Sequence, residues 1–336
     1  MHGSCESVSI PGSIIVSAQT PGDKKMKCSR AIRTVVLTCG FLGSGLLEAN
    51  VATADNLFAG DEGKFLLTAG FNDLEGAGGG GLVPLALISG YGSSDSWGAN
   101  AHFTNIQLKD FQLRAYGVAV GALDRVEVSY TRHEFNVTGT ALDGLGIAQD
   151  IVGIKVKLVG NAVYSQDSWV PQLAFGAEYQ KNEGINNGGN VGLPGLVSPT
   201  QLGAKSEHGV NYYLAATKIF LAQSLVVNAA LRYTKANEFG LLGFGGDLKN
   251  TYSLKPEGTL AYLLTRELAV GAEYRTRPRN LSIDDETSAY TVFLAWTPTK
   301  NLSLVAAYLN VGGILGPVTG VTRHQDGPYL SVQAGF

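Results

Sequence analysis

The stretch LVVNAALRYTK, residues 225–235, places Leu225, Val227, Ala229, Leu231 and Tyr233 at every second position. Val226, Asn228, Ala230, Arg232 and Thr234 fall between them. Successive side chains on a strand point to opposite faces, so one face here is wholly apolar and the other carries a mid-strand charge. LAVGAEYRTR (268–277), DIVGIKVKLV (150–159) and RVEVSYT (125–131) repeat the pattern. The chain ends in the same way. Leu330, Val332, Ala334 and Phe336 alternate with Tyr329, Ser331, Gln333 and Gly335.

Segments of this kind recur along the chain, each followed by a turn. Fourteen are read, at 64–71, 83–91, 97–106, 112–122, 125–135, 150–159, 169–180, 210–220, 225–235, 254–264, 268–277, 289–297, 302–309 and 328–336. A soluble antiparallel sheet also alternates, but here the connections alternate in length too. Those at 72–82, 136–149, 181–209, 236–253, 278–288 and 310–327 are long, and those at 92–96, 123–124, 160–168, 221–224, 265–267 and 298–301 are short. Short turns at one end and long loops at the other mark an outer-membrane barrel. The expected fold is therefore an all-β transmembrane antiparallel barrel of about fourteen strands, with twelve or sixteen as alternatives. Fourteen strands give a diameter of about 28 Å, wide enough for a porin-like or plugged lumen.

Composition agrees. Only 16% of residues are charged, against about 25% in soluble domains, and the chain has 44 glycines and a net charge of −3. A basic balance that would suggest nucleic-acid binding is absent. Met26, Lys27, Arg30 and Arg33 precede an apolar core over 34–47 and a small-residue site, Ala52 and Ala54, before Asp55. This reads as a secretory signal peptide over 26–54, preceded by a start-site extension over 1–25 and followed by one barrel domain over 55–336. All three cysteines (Cys5, Cys28, Cys39) precede the expected cleavage point, which leaves no disulfide framework in the mature chain.

The stretches GKFLLTAGFNDLEGAGGGGLVPLALISGYG (63–92), YYLAATKIFLAQSLVVNAALRYTKANEFGLLGFGGD (212–247) and LAVGAEYRTRPRNL (268–281) resemble a proteobacterial domain-of-unknown-function family, number 3034. The resemblance spans essentially residues 60–336. It implies a cell-envelope barrel and brings no catalytic residues with it.

Parity assigns Arg125, Lys155, Lys157, Arg232, Arg275 and Arg277, with Glu127, Glu178, Glu257 and Glu273, to a wet lumen. Their positive excess would tilt a pore toward anions, while cross-strand pairing is the plainer reading. Leu330, Val332, Ala334 and Phe336 form the expected signal for the outer-membrane assembly machinery. RTRPRN (275–280) could meet lipopolysaccharide phosphates. Asp284, Asp285 and Glu286 could hold a divalent cation, although a charged loop tip is the simpler reading. GAGGGG (76–81) lacks a following Lys-Ser or Lys-Thr and reads as a free outer loop, not a phosphate loop. Of the histidines, His102 faces the lumen, and His133, His208 and His324 lie toward the outer rim. No spacing makes a zinc site or a Ser–His pair. The loops 181–207, 239–248 and 311–321 are unusually apolar and are expected to fold over or into the mouth. The leading expectation is a passive channel or transporter for small solutes, apolar ones among them, in the bacterial outer membrane. It would touch outer-membrane lipid and lipopolysaccharide and use no metal or other cofactor. The alternatives are a barrel enzyme acting on envelope lipids and a non-conducting structural or adhesive barrel.

Overall fold

The computed structural model describes Lys64 and residues 66–140, 143–186, 198–320 and 324–336. The expected extension over 1–25, the signal peptide over 26–54 and its cleavage site at Ala52, Ala54 and Asp55 lie outside the described residues. Among the described residues, twelve strands close into an antiparallel barrel, each paired with its neighbours in sequence. They are β1 (Trp97–Gln107), β2 (Phe111–Ala122), β3 (Val126–Val137), β4 (Gly146–Val159), β5 (Gln172–Asn186), β6 (His208–Phe220), β7 (Leu225–Thr234), β8 (Ser253–Leu263), β9 (Leu268–Arg275), β10 (Glu286–Thr299), β11 (Leu302–Gly312) and β12 (Gln325–Gly335). The seam joins β12 to β1, from Asn100 opposite Gly335 to Ile106 opposite Tyr329. Closure leaves no edge for lipid to face unpaired. No helix among the described residues is long and apolar enough to cross a membrane.

The strand number corrects the expectation of fourteen to its alternative of twelve, which gives a diameter of about 24 Å at ordinary spacing and tilt. The two surplus segments, 64–71 and 83–91, are not wall strands. Apart from one helical turn, Leu66–Ala69, the stretch from 66 to 92 runs without regular structure. From Ala69 to Tyr91 it is almost wholly buried. It enters the lumen as a plug, and its exit is fixed where the Tyr91 N–H donates to the Phe336 carbonyl at 2.7 Å.

The outer face is apolar and exposed, with Val118, Val128, Val152, Ile154, Leu214 and Leu260 among its residues. Tyr130, Tyr179, Tyr212, Tyr233, Tyr274 and Tyr290 stand exposed toward the long-loop end, and Trp97, Trp296 and Phe336 toward the other. Two aromatic girdles around an apolar belt are the mark of a barrel seated in lipid. Leu330, Val332, Ala334 and Phe336 all face this belt. The protein is a β-barrel of the bacterial outer membrane.

Candidate functional site

The plug makes several backbone hydrogen bonds within itself, among them Leu74 N to the Gly81 carbonyl and Leu85 N to the Gly78 carbonyl, but others of its amides find no backbone partner, and an unpaired buried amide costs as much as a lost hydrogen bond. Wall side chains supply the partners. Glu127 on β3 accepts from Gly78 N at 2.9 Å and Ser89 N at 2.7 Å. Glu273 on β9 accepts from Gly81 N at 3.0 Å and Leu82 N at 2.7 Å. Lys155 on β4 donates to the Gly78 carbonyl at 2.7 Å while paired with Glu127 at 3.1 Å. Gln333 on β12 takes both backbone groups of Asn72. The glycine run serves this close approach. A Cβ at Gly80 would lie 1.9 Å from Glu273 Oε1, and Gly76 adopts φ +98° beside Thr131. GAGGGG is thus a lumen segment, not a free outer loop, because only a bare backbone lets the carboxylates in.

At the centre of the seat lies Glu75, the plug's own charge. Arg275 grips it with two nitrogens, at 2.5 and 3.0 Å. Arg232 on β7 lies 3.2 Å from it and also meets Glu178 at 2.5 Å and Glu257 at 2.6 Å. Arg275 Nε stands 3.2 Å from the same Glu257 oxygen. Both arginines are buried, Arg232 to 1% exposure. The sequence places these charges in a wet lumen. The structure pairs them in a dry one, because the plug fills the space that water would take. A positive excess aimed at anions is absent, since Glu75 and Asp73 arrive from the plug. Two assignments move to the short-turn rim. Arg125 is exposed in the β2–β3 turn, outside the strand parity that assigned it, and donates to the Lys157 and Leu158 carbonyls. Lys157 is ion-paired with Asp124 beside it.

The outer end is closed by loops. In the β7–β8 connection Phe239, Leu241, Leu242 and Phe244 are buried, as are Val311 at the end of β11 and Ile314 and Leu315 in the β11–β12 connection. Residues 187–197 of the longest loop and 321–323 lie outside the described residues. The Phe239 ring lies 4.7 Å from the Arg275 guanidinium and 4.8 Å from that of Arg277. Under this lid sits an apolar cavity of about 30 Å³ against Leu74, Leu108, Phe135, Phe239, Leu242 and Ile314. A second apolar cavity of about 460 Å³ opens at the short-turn end, walled by Leu67, Leu85, Leu87, Ile219, Val226 and Leu263. A third, of about 60 Å³, shares Leu67, Leu85, Val226 and Leu263 with it and follows the plug inward to Phe293.

RTRPRN does not present its three arginines to lipid phosphate. Arg275 and Arg277 turn inward, and Arg279 alone is exposed, donating to the Asp284 carbonyl at 3.0 Å. Nor is DDE a charged tip. Asp284 and Glu286 are buried beside Glu238, around Arg277. Burial lifts the Asp284 carboxyl to about 6 and Glu238 well above the usual carboxylate range, with the Arg277 charge opposing both. His133 is inside the barrel, not at the outer rim. Its Nε2–H donates to the Leu74 carbonyl at 2.6 Å, and its Nδ1 accepts from Gln149 at 3.1 Å. His208 and His324 are exposed, and His102 is buried. Sequence reasoning misses Glu75, Glu238 and Gln180, whose Nε2 donates to Glu75 at 2.9 Å, since all three act through partners far along the chain.

Residues 68–333 match the family described as Protein of unknown function (DUF3034). The chain belongs to that family. No curated relative matches this DUF3034 chain in sequence. Among solved structures the DUF3034 barrel is similar to the KdgM porin, at 12% identity over 70% of this chain and 99% of that one, with a TM-score of 0.43. The NanC porin stands at 10%, 70%, 98% and 0.43. The outer membrane phospholipase A from Escherichia coli stands at 9%, 74%, 94% and 0.39.

Proposed function

We propose that this barrel is a plugged transporter for small apolar solutes, with residues 66–92 as the moving part. The observation that carries the reading is the apolar lining on both sides of the plug. One cavity lies beneath the outer lid, and another opens at the inner, short-turn end. Thr68, Ser224, Thr265 and Arg266 also line the inner space, but most of its wall is aliphatic, whereas an anion or sugar pore would be lined chiefly with charge or hydroxyls. The plug is held by hydrogen bonds to wall side chains, those to charged groups worth about 1.5–3 kcal/mol each net, and by the ion pairs of Glu75 with Arg275 and Arg232. Wall contacts in the lumen are made through side chains, so the seat can open without breaking the backbone ladder of the wall. No step in this reading calls for covalent chemistry or a cofactor.

A disulfide tests it. A Cβ on Gly70 would lie 2.7 Å from Ser303 Oγ on β11, and no cysteine follows Cys39 in the chain. The Gly70→Cys/Ser303→Cys pair would therefore tether the plug, at the end away from β1, to the wall. Entry of a fluorescent apolar naphthylamine is followed in cells whose lipopolysaccharide is intact. The barrel should speed entry, oxidation of the pair should abolish the gain, and a reductant should restore it. No gain with the untethered barrel sinks transport. An unchanged gain after oxidation sinks the moving plug.

A further inference from the structure

We propose that Glu238, Asp284 and Glu286 form a binding site for one divalent cation, Ca²⁺ by preference, that fastens the outer lid. One carboxylate oxygen from each lies within 4.8 Å of the others. Opposed oxygens on a Ca²⁺ ion stand about 5 Å apart, so the three can share one ion. All three residues are buried, at 3%, 1% and 5% exposure.

The second observation is what each carboxylate leaves unused. Glu238 Oε2 meets Arg277 Nη1 at 2.5 Å, Glu286 Oε1 accepts from Glu238 N at 3.1 Å, and Asp284 Oδ1 accepts from Leu315 N at 2.9 Å. Glu238 Oε1, Asp284 Oδ2 and Glu286 Oε2 are buried and have no hydrogen-bond partner. Buried polar atoms are rarely left so, and here three occur in one cluster. Arg277 is the cation that pairs with the cluster, at Glu238 and, at 3.5 Å, at Glu286. With all three carboxylates ionised, one guanidinium leaves a charge of about −2, which a bound divalent ion would neutralise.

The backbone is arranged to bring the three together. Tyr290 points out to lipid, and strand parity would send Glu286, four residues earlier, the same way. The register with β11 shifts between them, and this bulge turns Glu286 inward. Glu238 holds φ +45° and Phe239 φ +60°, a left-handed pair that non-glycine residues seldom adopt. All-oxygen ligands suit a hard cation. Ca²⁺ accepts an irregular shell completed by water, whereas Mg²⁺ demands a near-ideal octahedron. The ion would join the β7–β8 and β9–β10 connections, with the β11–β12 connection held through Leu315.

The test uses barrel refolded from inclusion bodies into detergent, so that no lipopolysaccharide competes for the ion. Calorimetric titration with CaCl₂ should show one ion per barrel, bound at least tenfold tighter than Mg²⁺. Asp284→Asn/Glu286→Gln and, separately, Glu238→Gln should each weaken it at least tenfold. Glu267→Gln, on an exposed short turn, should leave it unchanged. Heat-shifted gel mobility establishes that each variant is folded. Amide exchange at 236–246 should slow with Ca²⁺ and recover with a chelator. A folded wild-type barrel that takes up no stoichiometric Ca²⁺, or variants that bind it as tightly, would overturn the site.

Discussion

The plug seat and the outer lid use the same groups in different proportion. In the seat, Arg232 and Arg275 face Glu75, Glu178 and Glu257, and every one of these carboxylates touches at least one guanidinium. In the lid, Arg277 alone faces Glu238 and Glu286, with Asp284 against the Leu315 amide. Asp73 lies beside Glu75 and Glu178 as well, so the seat sets four carboxylates against two guanidiniums where the lid sets three against one. The lid is the poorer of the two in positive charge. The seat holds the chain's own segment, and the lid has more to gain from a cation supplied from outside.

The largest effect should come from removing a seat cation. Arg232→Met leaves three buried carboxylates with Arg275 alone, and breaking a buried pair in this way costs about 3–5 kcal/mol. The midpoint of urea unfolding in detergent should fall accordingly. Arg277→Met should act locally instead. Its connections should become open to protease while the barrel keeps its heat-shifted mobility. A global loss from Arg277→Met equal to that from Arg232→Met would erase the distinction between the two regions.

A smaller effect is expected where the plug is held through its backbone. Glu273 accepts from two plug amides and from Thr259 Oγ1 at 3.1 Å. Glu273→Gln keeps the shape but loses charge assistance and turns a donor toward the amides, at a cost of about 1.5–3 kcal/mol. Because the lost bonds join plug to wall, faster amide exchange at Gly81 and Leu82 should accompany the change. Unchanged exchange there would show that packing, not the carboxylate, seats the plug.

The wall was legible in the sequence, and its contents were not. All twelve wall strands are among the fourteen segments that parity picks out, because lipid on one side and a polar interior on the other impose it on every wall segment. Residues 64–71 and 83–91 show enough of the same alternation to pass for strands. Nothing local separates an apolar segment facing lipid from one packed inside a barrel. A clue lies in Glu75, three residues before a run of four glycines at 78–81, a charge and a bare backbone suited to close packing. Long-range partners were out of reach for the same reason. Arg275 reads as a lumen charge until Glu75, 200 residues earlier, is found on it. Asp284 and Glu286 read as a charged tip until Glu238, from another connection, meets them.

The smallest effect tests whether burial, not charge, sets these magnitudes, and the β1–β2 hairpin offers neighbours for it. Lys109 pairs with Asp326 of β12 in the open, its side chain 44% exposed. Asp110, one residue on, is 1% exposed and exchanges two hydrogen bonds with Gln325. Both contacts bridge the closing seam between β12 and β1. An exposed ion pair contributes at most about 1 kcal/mol, screened by salt, so Lys109→Met should barely move the unfolding midpoint. Gln325→Leu leaves Asp110 buried with fewer partners and should cost about 1–3 kcal/mol. Both contacts span the same seam at the same height, so a difference between the two variants reports burial and little else. Equal losses would mean that seam closure, not burial of the polar group, sets the cost, and the estimates for the seat and the lid would have to be rescaled together.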